Sequence, residues 1–199
     1  CCRFSIYRAM LSIANVSAAQ AENYYEADDY YTRDLDDADT GTPSATWYGK
    51  GATALGLTDD FNQSTFQQLL HGEGPNGESL HARKIDPDRH RAATDCTFSA
   101  PKSVSIAALI QGDTRVLAAH DQAVRTALSI LETRYAQTRI RQPQGERERV
   151  TTGNVVTAIF RHETSREQDP QLHSHCVLIN ATQLDHGQWR SLSNEAIVA

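Results

Sequence analysis

The chain lacks a membrane-length apolar run, a paired-cysteine motif and an excess of positive charge, and each absence weighs against a class of protein. A spanning helix needs about 20 consecutive apolar residues, and the apolar stretches here are strand-length, so no membrane insertion is expected. The four cysteines, Cys1, Cys2, Cys96 and Cys176, have no CxxC spacing. The last two lie in apolar strand-like segments, which reads as buried free thiols in a reducing cytosol rather than disulfides. The opening nine residues precede the single methionine, Met10, and have neither the length nor the cleavage pattern of a signal peptide. They are read as an upstream segment outside the domain. Residues 10–199 are read as one domain, truncated at its C-terminus, because Ser193 to Ala199 looks like a helix start that stops after barely a turn.

What remains is enough for one hydrophobic core: 199 residues, 39% of them hydrophobic. The net charge of -6 weighs against nucleic acid, yet the charge is uneven. Of 19 basic and 25 acidic residues, only four basic but twelve acidic ones fall within residues 1–80. Phosphate binding needs local positive groups rather than a positive total, so the balance weakens a DNA hypothesis without removing it.

Met10 to Val16 reads as a strand, with Ser17 capping a short helix toward Tyr24. Trp47 to Leu57 mixes a glycine-punctuated turn with a short helix, and Ser64 is placed to cap a helix from Thr65 to His71. Ala93 to Phe98 reads as a strand, and Ser99-Ala100-Pro101 as the capped opening of a helix over Lys102 to Ile110. Asp113 caps a longer helix reaching about Thr138, with Val116, Leu117, Val124, Leu128 and Leu131 at helical spacing. A basic loop, Arg139, Arg141, Arg147 and Arg149, then leads into two strands. Mixed strands and long helices without strict alternation predict an α+β domain on a central antiparallel sheet.

Those two strands carry three histidines. His173 and His175 sit two apart, so in a strand both project to one face. His162 follows the apolar run Val155 to Phe160, and a hairpin-like return brings it beside the pair. Three neutral imidazoles with open positions would form a Lewis-acidic metal site. By ligand type they suit zinc, nickel, cobalt or manganese, whereas phosphoryl chemistry and cellular supply favour Mg2+ or Mn2+. A fourth protein ligand would make a structural zinc site instead, but Cys176 should point to the opposite face from His175. Upstream stand two tyrosine pairs, Tyr24-Tyr25 and Tyr30-Tyr31. With a reference pKa near 10, a tyrosine nucleophile needs a base or a receptive electrophile. A cation drawing charge from a phosphate would supply the second, and stacking or packing is the competing role for these rings. Asp95, a carboxylate in an apolar strand, would orient a metal-bound imidazole, accept the tyrosine proton, or pair with a nearby arginine.

The strings NYYEADDYY, WYGKGATALGL, DCTFSAPKSVSIAALIQGD, TTGNVV, FRHETSREQDPQLHSH and GQWRSL, in this order, resemble the relaxase domain of MOBF-class conjugative relaxase-helicases. The resemblance runs from Met10 to Ala199, with Ser174 between the paired histidines. It implies a palm-like fold of the HUH endonuclease type, with helices on the faces of the sheet. It also implies a metal-dependent, site- and strand-specific DNA transesterase that nicks a plasmid origin of transfer and stays on the 5′ end. On this resemblance Tyr24 makes the first attack, Tyr30 or Tyr31 a second transfer, and Tyr25 assists. His162, His173 and His175 become metal ligands, and Asp95 acts on the nucleophile's proton or on a ligand histidine. The implied partners are single-stranded origin DNA, relaxosome accessory proteins and a coupling protein. The setting is the bacterial cytoplasm, and the domain a monomer.

For DNA contacts the sequence offers Arg83, Lys84, Arg89, Arg91 and Lys102, Arg161 and Arg166 beside the histidines, and Arg190 after Trp189. Two other readings stand beside the nickase: a rolling-circle replication initiator with the same metal chemistry, and a non-catalytic single-strand DNA-binding fragment.

Overall fold

Segments whose side chains must be buried on both sides become the middle of a sheet, and here two such segments lie side by side. The computed structural model describes residues 10–17, 45–57, 61–81, 90–142, 144–165 and 167–198. In chain order these include β1 (Leu11–Ser17), β2 (Ala45–Tyr48), α1 (Lys50–Ala54), α2 (Gln63–Leu70) and β3 (Arg91–Ser99). Next come α3 (Lys102–Ser105), continued by a π-helical turn over Ile106–Ile110, and the long α4 (Thr114–Tyr135). Then follow β4 (Gln137–Arg141), β5 (Arg147–Thr151), β6 (Thr157–Thr164), β7 (Pro170–Ile179), the short β8 (Thr182–Gln183) and β9 (Trp189–Arg190), and α5 (Glu195–Val198). Five strands form one antiparallel sheet in the order β1-β3-β7-β6-β2. The expected α+β class is observed. No described helix is long and apolar enough to cross a membrane.

The sheet separates two apolar layers. On one face Phe66, Leu69 and Leu70 of α2 pack with Trp47, Ala158, Phe160, Val177 and Ile179. On the other, Val124 and Leu128 of α4 meet Cys96, Ile159, Cys176 and Leu178. Each fully buried Leu, Ile or Phe contributes about 1.5–3 kcal/mol relative to exposure, so β7, covered on both sides, is held in one register. Cys96 and Cys176 are opposed in that register as buried free thiols, as their apolar surroundings predict. Burial, then the Asp95 charge, pushes the Cys96 thiol up to about 12.

Several expected boundaries moved for local reasons. Asn62, in extended conformation, caps α2 by accepting the Thr65 N–H at 3.0 Å, so the helix starts before Ser64. Ser64 instead donates its hydroxyl to the Asn62 side chain. Pro101, with no side-chain cap, opens α3 in place of Ser99. Asp113 caps α4 as expected, but the helix stops at Tyr135 because Ala136 is extended and buried. The segment read as a basic loop is the hairpin β4–β5. The helix expected after Ser17 lies outside the described residues.

Near the bottom of β6, the Gly49-Lys50-Gly51 turn is pressed against the backbone. Gly49 has φ +108°, and a Cβ there would lie 2.2 Å from the Val155 carbonyl oxygen. The buried Glu132 carboxylate accepts the Lys50 N–H at 2.7 Å and the Val155 N–H at 3.2 Å, holding the turn to α4. Gly49→Ala should therefore cost about 2 kcal/mol or more, since steric overlap adds to positive-φ strain of about 1–3 kcal/mol. Urea denaturation checks this, with Gly56→Ala, whose Cβ would meet nothing within 4 Å, as the milder comparison.

At the same end His81 packs edge-on against His90 with ring centroids 4.6 Å apart, and its Nδ1 lies 2.9 Å from the Ser191 hydroxyl. Burial, then the His90 charge, lowers its pKa to about 4. The folded state thus keeps His81 neutral where the unfolded chain takes up a proton. Stability should fall as pH drops from the ordinary histidine value near 6.5 toward 4. His81→Gln should flatten that part of a pH–stability curve.

Candidate active site

The three histidines meet through register. Antiparallel pairing sets His162 directly opposite His173 and Phe160 opposite His175, while Thr97 lies opposite His175 from the other neighbour. All three rings project from the same face, with centroids 5.2 to 5.4 Å apart in a near-equilateral triangle. They are 5, 5 and 7% exposed for His162, His173 and His175. On the same face, beside them, Phe160 clusters with Phe61 and Phe66, with centroids 5.0 to 5.7 Å apart.

Hydrogen bonds decide which ring nitrogen faces outward. The Nδ1 of His175 lies 2.7 Å from Asp95 Oδ2 and 3.1 Å from the Thr97 hydroxyl. The Nδ1 of His173 lies 2.9 Å from the Gln171 carbonyl oxygen. A carboxylate and a carbonyl only accept, so both rings carry hydrogen on Nδ1, which in the neutral imidazole leaves the lone pair on Nε2. That is the tautomer a metal ligand needs, with Asp95 as the outer partner that fixes the ring. Thr97 and the Gln171 carbonyl went unread in the sequence. The alternation in Asp95-Cys96-Thr97 was the signal for Thr97.

The donor set fits a divalent cation: three imidazoles on one face, two in the correct tautomer, one backed by a carboxylate. Among the described residues no three His, Cys, Asp or Glu side chains already converge at ligand distance. Strand register fixes the triangle, and closing it to metal–nitrogen distances of about 2.0–2.1 Å takes small ring rotations.

The SAPKSVS string ties the histidine strand down. The Ala100 N–H donates to the Leu172 carbonyl at 2.9 Å, and the Leu172 N–H donates to Ser105 Oγ at 3.0 Å, one residue before His173. Lys102 donates to the Pro170 carbonyl at 3.1 Å and lies 3.7 Å from Asp169. Its ammonium thus stands at the histidine end of β7, already engaged.

The other candidate cations scatter. Arg161, expected beside the histidines on their DNA side, points to the opposite face because it neighbours His162 in a strand. There it is 7% exposed and paired with Asp121 of α4 at 3.0 Å. Its strand partner Ser174 shares that face, with its hydroxyl 3.0 Å from His120 Nε2. Arg190 lies on β9, beyond the far end of β7, near the Trp189 carbonyl. Tyr24, Tyr25, Tyr30, Tyr31, Arg83, Lys84, Arg89 and Arg166 lie outside the described residues. The hairpin β4–β5 supplies a cationic face that the loop reading missed. Arg139 opposes Arg149 and Arg141 opposes Arg147, all four on one side of the ribbon. Glu195 pairs with Arg139 and Arg149. Arg141 and Arg147 have no ion pair among the described residues.

Comparison with known proteins places this geometry. A family model described as TrwC relaxase matches residues 18–199. The multifunctional conjugation protein TraI of Escherichia coli strain K12 is 44% identical over 190 residues, covering 94% of this chain and 10% of that protein. A copper-bound structure of the conjugative relaxase TrwC with oriT DNA is 44% identical, with a TM-score of 0.79 over 94% of this chain and 63% of that one. A metal-free structure of TrwC with oriT DNA gives 41% and 0.80, over 94% and 62%. The chain therefore spans about a tenth of that TraI and less than two thirds of those TrwC chains.

Asp95 gives the direct test of the centre. Asp95→Asn replaces the charged acceptor of the His175 Nδ1 hydrogen, and Asp95→Ala removes it. Divalent-cation affinity measured by calorimetry should fall roughly 10-fold for Asn and up to about 100-fold for Ala.

Proposed function

This chain belongs to the TrwC relaxase family, and on that premise we propose that it is a metal-dependent, site- and strand-specific DNA transesterase. In this reading it nicks the origin of transfer of a plasmid through a covalent 5′-phosphotyrosine link during conjugation. The observation that carries the reading is the histidine triangle with Asp95 on His175. Such a centre serves phosphoryl chemistry.

A divalent cation held by His162, His173 and His175 would supply Lewis acidity toward the non-bridging oxygens of the scissile phosphate. The protein's own groups do the rest. His175 is oriented by Asp95, and His173 by the Gln171 carbonyl. Tyr24 contributes the nucleophile: its phenolic oxygen bonds to phosphorus, the bond from phosphorus to the 3′ oxygen breaks, and the 3′ hydroxyl departs protonated. The link retains the phosphodiester's energy, so attack by a 3′ hydroxyl or by Tyr30 or Tyr31 transfers the strand again. By family resemblance Tyr25 assists the first nucleophile. Asp95, buried and committed to His175, favours ring orientation over taking the tyrosine proton.

For the metal, phosphoryl chemistry and cellular supply favour Mg2+ or Mn2+, with Zn2+, Ni2+ or Co2+ as the alternatives that three imidazoles suit. The relaxase acts in the bacterial cytoplasm with accessory and coupling proteins. The arginine face of β4–β5 tracks the DNA backbone: like charges placed directly opposite destabilise a ribbon, and a polyanion offsets that cost.

Incubation with single-stranded origin DNA and Mn2+ should give a covalent adduct on denaturing gels, lost with chelator, in Tyr24→Phe and in His173→Ala. An adduct undiminished in Tyr24→Phe would remove that tyrosine from its role. No adduct under any metal would favour a DNA-binding module. Arg141→Gln with Arg147→Gln should lower the salt dependence of single-stranded DNA affinity, log K against log salt, by roughly 1.4, while leaving calorimetric Mn2+ binding unchanged.

A further inference from the structure

The face of the sheet away from the histidines carries polar groups where apolar packing would be expected. Ser174 lies between His173 and His175, and its cross-strand partner Arg161 adjoins His162. These are the two back-face positions flanked by the three imidazoles. Both are buried, and both are held by consecutive residues of one 22-residue helix, α4: His120 Nε2 at 3.0 Å from Ser174 Oγ, and Asp121 Oδ2 accepting from Arg161 Nη1 at 3.0 Å. Glu163 stands 4.0 Å from the same guanidinium. One turn further along, α4 meets the sheet through Val124 and Leu128 in the ordinary apolar way.

Burying a guanidinium and a hydroxyl gains no stability over apolar residues of similar volume. What directional contacts add is registration. Apolar side chains tolerate sliding, whereas a hydrogen bond and an ion pair fix two strands at a set height against a rigid helix. The pair also keeps charge in balance, since an uncompensated Arg161 cation behind the imidazoles would oppose a divalent cation in front of them.

We infer that His120 and Asp121 are positioning residues for the metal centre: α4 grips β6 and β7 from behind, and so sets the spacing of His162, His173 and His175 on the other side. The inference rests on the metal-centre reading above, and its test separates the two. The probe is Mn2+ alone, titrated calorimetrically into the protein without DNA, with thermal unfolding of each metal-free variant recorded in parallel.

His120→Leu and Ser174→Ala should each weaken Mn2+ binding roughly 10-fold or more, and the double variant should be little worse than either, because one contact is lost. His120→Gln, which can return an N–H to Ser174, should restore affinity. Asp121→Asn should also weaken binding, and adding Arg161→Met should recover most of it by removing the stranded charge. A merely structural role would lower the melting temperature and leave the Mn2+ affinity of the folded protein unchanged. That result overturns the clamp. Where His120→Leu fails to fold, Ser174→Ala, which removes only an oxygen, decides the same question. Binding unchanged in His173→Ala, or absent in the parent, overturns the metal-centre reading itself and the clamp with it.

Discussion

The register between β6 and β7 is the constraint on which the site depends. Side chains in a strand alternate with a period of two, so a slip of one residue would send all of one strand's ligands to the opposite face. With His162 opposite His173, the three rings share one face, and the flanking Arg161 and Ser174 are driven to the back. Several features hold that register. The two strands are buried on both faces, so any slip would exchange Phe160 and Val177 for Arg161 and Ser174 in an apolar layer. The connecting turn is closed by Ser165, whose hydroxyl accepts the N–H groups of Glu167 and Asp169. Gln168 takes a positive φ of 61° there, the one non-glycine among the described residues to do so. A regularly paired hairpin in this place would not absorb the offset between His162 and Thr164.

The same register explains why the long motif around Pro101 is part of the site while standing apart from the histidines. Its backbone amide at Ala100 and the Ser105 hydroxyl both engage Leu172, and Lys102 reaches Pro170. The string therefore fixes the entry of β7. From the other neighbour, β3 presents Asp95 and Thr97 to His175. Thus β7 is held at its start by α3, at its side by β3 and β6, and from behind by α4. A metal centre asks for ligand positions accurate to fractions of an ångström, and this scaffold restrains the central strand from each direction.

Period-two alternation made His173 and His175 readable as a pair from two letters of spacing, and the apolar run before His162 announced its strand. Asp95 was readable as a buried carboxylate in need of a partner, though not which partner. The contacts of His120 and Asp121 were beyond reach, because they join residues 54 and 40 positions apart and nothing local encodes which helix face meets which strand. The grouping of Arg161 with the histidines shows a rule applied to one pair and left off the next: the alternation that unites His173 with His175 also separates Arg161 from His162. Arginines hid the strands of the β4–β5 ribbon, since they break the apolar pattern, while Gly145 at its turn, with φ +92°, was the available sign. Boundaries at Asn62 and Pro101 moved because several residues competed for each cap. The tyrosine half of the chemistry is carried by family membership, and the metal half by geometry.

A net charge of -6 is compatible with a DNA substrate because the relevant charges sit in separate places. Behind the histidines, Arg161 pairs with Asp121 and stands 4.0 Å from Glu163, so one cation there faces two carboxylates. The exposed arginines stand at the other end, where α4 hands over to β4. His173 and Ile179 are six residues apart along β7, roughly 20 Å at about 3.3 Å per residue, while the screening length is about 8 Å at physiological ionic strength. The Ile179 end of β7 thus lies more than a screening length from the histidine end. Ionic strength acts on the solvent-exposed arginines that would follow a phosphate backbone and leaves the buried imidazoles, oriented by Asp95 and the Gln171 carbonyl, largely untouched. In a nickase of the proposed kind, such a division would let the domain release a long strand without loosening the cation at the cut.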